Sequence, residues 1–162
     1  GYMARNGVDA ITQNKADAYW GNGMRVALGE KLGIAKMHLD LRRGDGPPGA
    51  RLYNFPALTV QDSFIDEHPE EAAGAIRAIV TAQKTLKANP SVSTGIAQKL
   101  FPADEAELIA GLIERDTPFY DAAISREAID GLMKFATSSG LIKEAVPYEK
   151  VVASEFSHWW KQ

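Results

Sequence analysis

Apolar residues recur at helical spacing through most of this chain and at strand spacing in only three short stretches. Tyr2 to Asn14 reads as a helix with Met3, Val8 and Ile11 on its apolar side, weakened by Gly7. Met24 to Leu32 reads as a second, stopped by Gly33, which tolerates the positive φ of a helix end. A long helix opens at His68-Pro69-Glu70-Glu71, where proline suits the first turn and the acids face the positive end of the helix dipole. Ala72, Ala73, Ile76, Ile79, Val80 and Leu86 give it one apolar stripe, and Asn89-Pro90 ends it. Ser91 to Leu100 is a weaker helix. The next has Glu107 three residues after a cap-like Asp104 and carries Leu108, Ile109, Leu112 and Ile113. Ser125 is placed to cap another, with Ile129, Leu132, Met133 and Ala136 at spacings of three and four and Gly140 as its stop. Pro147 starts the last, which bears Val151, Val152, Phe156, Trp159 and Trp160.

The strand-like stretches lie in the first sixty residues. Lys15 to Trp20 is closed by Gly21-Asn22-Gly23, a strong turn signal. Lys36 to Leu41 alternates polar and apolar residues, the period of a half-buried strand. Leu52 to Val60 is the third, with Pro56 inside it marking an edge strand or a bulge. Between the last two, Arg42-Arg43-Gly44-Asp45-Gly46-Pro47-Pro48-Gly49 is too rich in glycine and proline for regular structure. The pattern predicts an α/β, helix-rich fold with a small mixed sheet. Three strands are few for so many amphipathic helices, each needing a surface to cover, so further sheet-forming sequence is expected upstream.

Composition narrows the function. At 162 residues the chain is long enough for one ordinary domain, and 45% hydrophobic with 24% charged residues is the balance of a folded protein. No apolar run is long enough to span a membrane. A net charge of −3 argues against a nucleic-acid partner. With no cysteine, disulfides, thiolate metal sites and cysteine nucleophiles are excluded. His38, His68 and His158 lack companions at metal-ligand spacing, so no metal and no cofactor is expected. No nucleophile elbow is present, and Ser125 reads as a cap. Arg42, Arg43 and Arg51 could hold an anion, although a solvated basic loop explains them as well. The Phe156-to-Trp160 cluster reads as packing onto the fold, since Glu149 and Glu155 interrupt any basic membrane face.

Trp20, Gly21 and Asn22, together with Tyr53 and Asn54, are the candidate ligand-binding residues. Each group lies near a predicted strand end, where open α/β folds place ligands. Aromatics supply apolar area and amides supply orienting donors, as small-molecule pockets require. Ordinary core aromatics are the competing explanation, and a small enzyme with a pocket around Trp20 and Tyr53, or a helical protein-interaction module using Trp159 and Trp160, remain alternatives.

The order of several segments carries a resemblance. Asn14-Lys15-Ala16-Asp17-Ala18-Tyr19-Trp20, Phe64-Ile65-Asp66-Glu67-His68-Pro69-Glu70, Ala82-Gln83-Lys84, Ala88-Asn89-Pro90, Gly140-Leu141-Ile142 and Val146-Pro147-Tyr148-Glu149 follow one another over nearly the whole chain. In that order they resemble the C-terminal portion of the NMT1/THI5-like (SsuA/TauA-like) periplasmic solute-binding proteins. The resemblance implies part of a type II periplasmic-binding-protein fold with a remnant mixed sheet. Residues 1–20 would finish the second lobe and the crossover, and residues 21–162 would return to the first lobe as a single unit. It further implies capture of a small organic molecule or anion for an ABC permease, an extracytoplasmic location, and self-association of a portion lacking its other strands. Trp20 matches the family tryptophan near the lobe junction. The pyrimidine-forming members carry a cysteine-rich motif that this chain lacks, so the implication is binding and not catalysis.

Overall fold

The computed structural model of the chain describes residues 5–52 and 56–160. Its α-helices are α1 (Arg5–Thr12), α2 (Gly23–Lys31), α3 (Asp62–Glu67), α4 (Pro69–Ala88), α5 (Val92–Leu100), α6 (Ala103–Asp116), α7 (Arg126–Ser138) and α8 (Tyr148–Val151). Short 3-10 segments occupy Leu41–Arg43, Ala50–Leu52, Thr117–Phe119 and Ser154–Trp159. The protein is helix-rich.

Three helix ends share one device. Asn14 closes α1 at φ 54°, Gly33 closes α2 at φ 68°, and Gly140 closes α7 at φ 72°. In each case the next residue's N–H reaches back five positions: Lys15 to the Ala10 carbonyl, Ile34 to Gly29 and Leu141 to Ala136. The left-handed residue turns the chain so that an orphan carbonyl of the last turn is satisfied.

Contacts divide the chain into two units, Gly1–Leu39 with Thr85–Pro118, and Asp40–Lys84 with Phe119–Gln162. The sequence suggests one unit over residues 21–162. The structure divides it because the chain enters the second unit at Asp40 and leaves it in the last turn of α4.

In the first unit α2 packs on α1 and α6, and α5 lies along α6. Small residues make that approach close: Ala97 of α5 and Ala106 of α6 are buried, along with Ser93, Leu28 and Val8. The Tyr19 ring keys the α1–α2 region. A Cβ on Gly7 would lie 2.7 Å from Tyr19 Cδ2, one on Gly29 would lie 2.5 Å from its hydroxyl, and one on Gly21 would lie 3.2 Å from its Cε2. The ring therefore fills the space that three missing side chains leave, and its hydroxyl donates to the Arg25 carbonyl at 2.9 Å. Gly7 weakens α1 locally and is required for this fit.

In the second unit the core is Ala72 and Ala73 of α4 under Phe156, flanked by Ile65, Ile76, Ala153 and Trp159. Ile79, predicted on the same stripe of α4, is 42% exposed instead. Ile79 stands two turns on from Ala72, at the edge of that stripe, and lies outside the cluster that Phe156 covers. Ser125 caps α7 as predicted, its Oγ accepting from the Ala128 N–H at 3.1 Å. The Tyr148 hydroxyl of α8 donates to the Ile124 carbonyl at 2.6 Å, and Arg126 stacks 4.4 Å above the Tyr148 ring.

The predicted strands do not form. Lys15–Trp20 and Lys36–Asp40 are irregular chain, Leu41 opens a 3-10 turn, and the described residues hold no strand. Of Leu52–Val60, residues 53–55 lie outside the described residues and 56–60 are irregular. Alternation reports a chain with two different sides, not a strand partner. In Lys15–Trp20 the inward side meets helices, through Tyr19. A ladder also needs a neighbouring strand to take its N–H and C=O groups. The small mixed sheet is thus not observed among these residues.

Candidate functional site

Trp20 stands where irregular chain leads into α2. Its neighbour Tyr19 is fixed inward by the glycine gap, so the alternation of extended chain sends Trp20 outward, where it is 81% exposed. Gly21 is required there, because a Cβ would meet Arg25 Cβ at 2.9 Å. Asn22 caps α2 through Oδ1, which accepts from the Arg25 N–H at 3.2 Å. The indole is thus an exposed apolar surface on a backbone held from both sides.

Behind this corner lies a charged layer between α2 and α6. The Arg25 guanidinium is 3.4 Å from Glu105 Oε1, with both side chains less than a fifth exposed, and its buried Nε lacks a partner. Arg115 is engaged by its neighbour Asp116, with Nε 2.6 Å from Oδ1, close to Gly23. Burial, and secondarily the Glu30 carboxylate, pushes the Tyr19 hydroxyl above its usual range and keeps it a neutral donor to the Arg25 carbonyl.

Of the predicted ligand residues, the structure brings Trp20, Gly21 and Asn22 together as a consecutive corner. Only Trp20 and Asn22 present exposed side chains, and the Asn22 oxygen is already engaged in capping. Tyr53 and Asn54 lie outside the described residues. Of the arginines flanking the glycine–proline loop, Arg42 and Arg43 pair with acids. Arg42 donates to Asp40 from Nε at 2.9 Å and from an NH group at 2.8 Å, and Arg43 reaches Asp45 at 3.2 Å. The hydrogen bonds from Arg42 hold the Asp40 carboxyl below the usual carboxylate range despite its burial. Ion pairing within the loop, and not anion binding, occupies Arg42 and Arg43.

No group of three or more metal-ligating side chains occurs among the described residues. His68 tilts against Phe64 with ring centroids 5.1 Å apart, and its Nδ1 lies 3.1 Å from Glu71. Phe156 is buried and Trp159 packs beside it, so the C-terminal aromatic cluster serves packing, as its sequence indicates.

A second feature escapes the sequence reading. A groove of about 510 Å³ runs within the second unit, from the start of α4 to the Ser154–Trp159 turn. Its floor is Ile65, Ala73, Phe156 and Trp159, and its rim includes Glu70 and Arg77. Glu70, Ala73 and Arg77 are three and seven residues apart on one helix, a spacing visible in the sequence; the contribution of Trp159 is visible only in the fold. Among comparisons with known proteins, no family model, no curated protein and no solved structure matches this chain.

Proposed function

We propose that the chain is the C-terminal portion of a solute-binding component of an ABC importer, which captures a small organic molecule or anion outside the cytoplasm and delivers it to a permease. The supports are the order of its sequence segments and, above all, the 81% exposed indole of Trp20 on a backbone fixed by Tyr19 and Asn22. Leaving so large an apolar ring in water forgoes on the order of 2 kcal/mol of burial. A ligand or a second lobe that covers it recovers that energy on binding. Within this reading residues 1–20 belong to the second lobe and crossover, and the strand-like segments pair with strands elsewhere in a parent type II binding fold. Closure of two lobes on the solute is then a population shift toward the conformation that binds it.

Thermal-shift and fluorescence titration of the full chain against small sulfonates, nitrate and pyrimidines test the assignment. A saturable response is expected for one of these classes, weakened about tenfold or more by Trp20→Ala, the usual loss for an aromatic anchor. No response to any class, or one unchanged by the substitution, overturns it.

A helical interaction module is the second reading, favoured by a particular observation. Val92, Ile96 and Leu100 repeat every four residues on α5 and are 42%, 53% and 71% exposed, in a stripe that borders the buried Ser93 and Ala97. That stripe has the form of a helix face that meets another helix. If α5 rather than Trp20 is the functional surface, Ile96→Ser abolishes self-association seen by light scattering, and Trp20→Ala leaves it intact.

A further inference from the structure

The groove of the second unit has a chemistry that the proposed solute site at Trp20 does not use. Arg77 lies with its guanidinium carbon 4.8 Å from the Trp159 ring centroid. A guanidinium laid over an aromatic ring uses its π-face for that contact and keeps its in-plane N–H groups for a planar, two-oxygen acceptor. Arg77 makes no ion pair among the described residues, although Asp66, Glu70 and Glu155 line the same groove. Those three carboxylates make no ion pair there either. A half-buried guanidinium and three acids thus share one concavity without neutralising each other.

For Glu70, helix geometry explains why. Glu70 and Arg77 are seven residues apart, two turns of α4, which separates them by about 10 Å along one face of the helix. Ala73 lies between them on that face and is 5% exposed, so no side chain bridges the gap and the groove floor is apolar there. Phe156 and Trp159 continue that floor from the other side.

We infer that this groove binds a small zwitterion whose carboxylate takes the Arg77 fork, whose ammonium faces the acids around Glu70, and whose short alkyl chain lies over Ala73 and Phe156. A two-turn separation of the charges suits an ω-amino acid. It is too long for an α-amino acid, whose charges sit on neighbouring carbons. Three acids against Arg77 leave the rim net negative, so the ammonium end contributes attraction and an anion alone meets repulsion. A two-charge ligand gains from both ends what neither end gains alone.

Calorimetry on the full chain at neutral pH tests this with 6-aminohexanoate, hexanoate and hexylamine. The expected result is that 6-aminohexanoate binds at least about tenfold tighter than either single-charge analogue, as a charge-assisted pair at each end predicts. Arg77→Gln and Glu70→Gln should each weaken 6-aminohexanoate severalfold, with Arg77→Lys intermediate because it retains charge but not the fork. Glu70 is exposed in the first turn of α4, so its variant tests the site even if Arg77→Gln loosens Trp159. Trp20→Ala should leave this affinity unchanged, which separates failure here from failure of the solute assignment. Equal binding of hexylamine and 6-aminohexanoate, no effect of Glu70→Gln, or no binding of 6-aminohexanoate overturns the inference. Tighter binding of a peptide ending in lysine, which offers the same two charges, overturns the free small molecule as the occupant.

Discussion

Each unit of the molecule is keyed by one aromatic ring, and the two rings are held by opposite means. Tyr19 occupies a gap where Gly7, Gly21 and Gly29 have no side chain, and it ends on a hydrogen bond to a backbone carbonyl. Phe156 lies on side chains, over Ala72 and Ala73 with Ile65 and Ile76 beside it. The first arrangement depends on atoms that are absent and the second on atoms that are present. Added bulk should therefore harm the Tyr19 region most, and removed bulk should harm the Phe156 region most. The contrast also bears on function. Fixing Tyr19 inward is what turns Trp20 out to water, whereas Phe156 draws its neighbour Trp159 into the wall of a groove.

Removing the key of the second unit has the largest expected effect. Phe156 is 8% exposed, and no large side chain among the described residues is buried to below 2%, so little else can compensate. Phe156→Ala should cost about 3 kcal/mol, the low end for truncating a core phenylalanine because part of the void opens to solvent. Urea unfolding followed by circular dichroism measures it. A change under 1 kcal/mol would mean that the C-terminal turn contributes nothing to the fold, and the comparison between the keys would lapse.

Adding bulk to the first unit comes next. Gly7→Ala gains helix propensity worth up to about 1 kcal/mol. Against this, its Cβ would sit 2.7 to 3.0 Å from three carbons of Tyr19, a rigid ring that can retreat only by leaving its gap. Overpacking of that kind costs about 1–3 kcal/mol, so a net loss of about 1–2 kcal/mol is expected. The same change in a Tyr19→Ala background should be neutral or stabilising. That reversal of sign in a double-mutant cycle isolates the glycine gap from every other role of Gly7.

These two keys show which features are legible in the sequence. Helices and their ends are set by neighbours three to five residues away, so α1, α2, α4, α5, α6 and α7 and the stops at Gly33 and Gly140 follow from local pattern. The stop at Asn14 could have been found, since asparagine is the commonest substitute for glycine there. Strands need partners that local pattern does not supply. Lys15–Trp20 therefore has the two-sidedness of a strand and none of its pairing. Trp20 was identifiable as a candidate, but its exposure depends on Tyr19 finding glycines at 7 and 29, ten or more residues away in either direction. The groove joins Arg77 to Trp159 across eighty residues, a distance that no periodicity reports.

The finest test lies in the segment that opens the second unit. Asp40 is 9% exposed and accepts from the Arg42 backbone N–H at 3.1 Å as well as from the Arg42 guanidinium, while Arg42 itself lies over the Phe119 ring at 5.3 Å. The side-chain hydrogen bonds from Arg42 are the main reason its carboxyl titrates below the usual value, with burial opposing them. A carboxyl whose folded value lies below its unfolded value stabilises the fold at every pH above the unfolded value, about 4. That contribution declines as pH falls from there through the folded value. Asp40→Asn keeps the shape and removes the proton site, so it should lower stability at pH 7 and flatten the loss of stability below pH 4. Matched urea titrations at pH 7 and pH 3 measure the difference. If Asp40→Asn is as acid-sensitive as the parent chain, the Arg42–Asp40 pair does not hold this loop, and the acid response of the second unit arises from the exposed carboxylates of its helix starts.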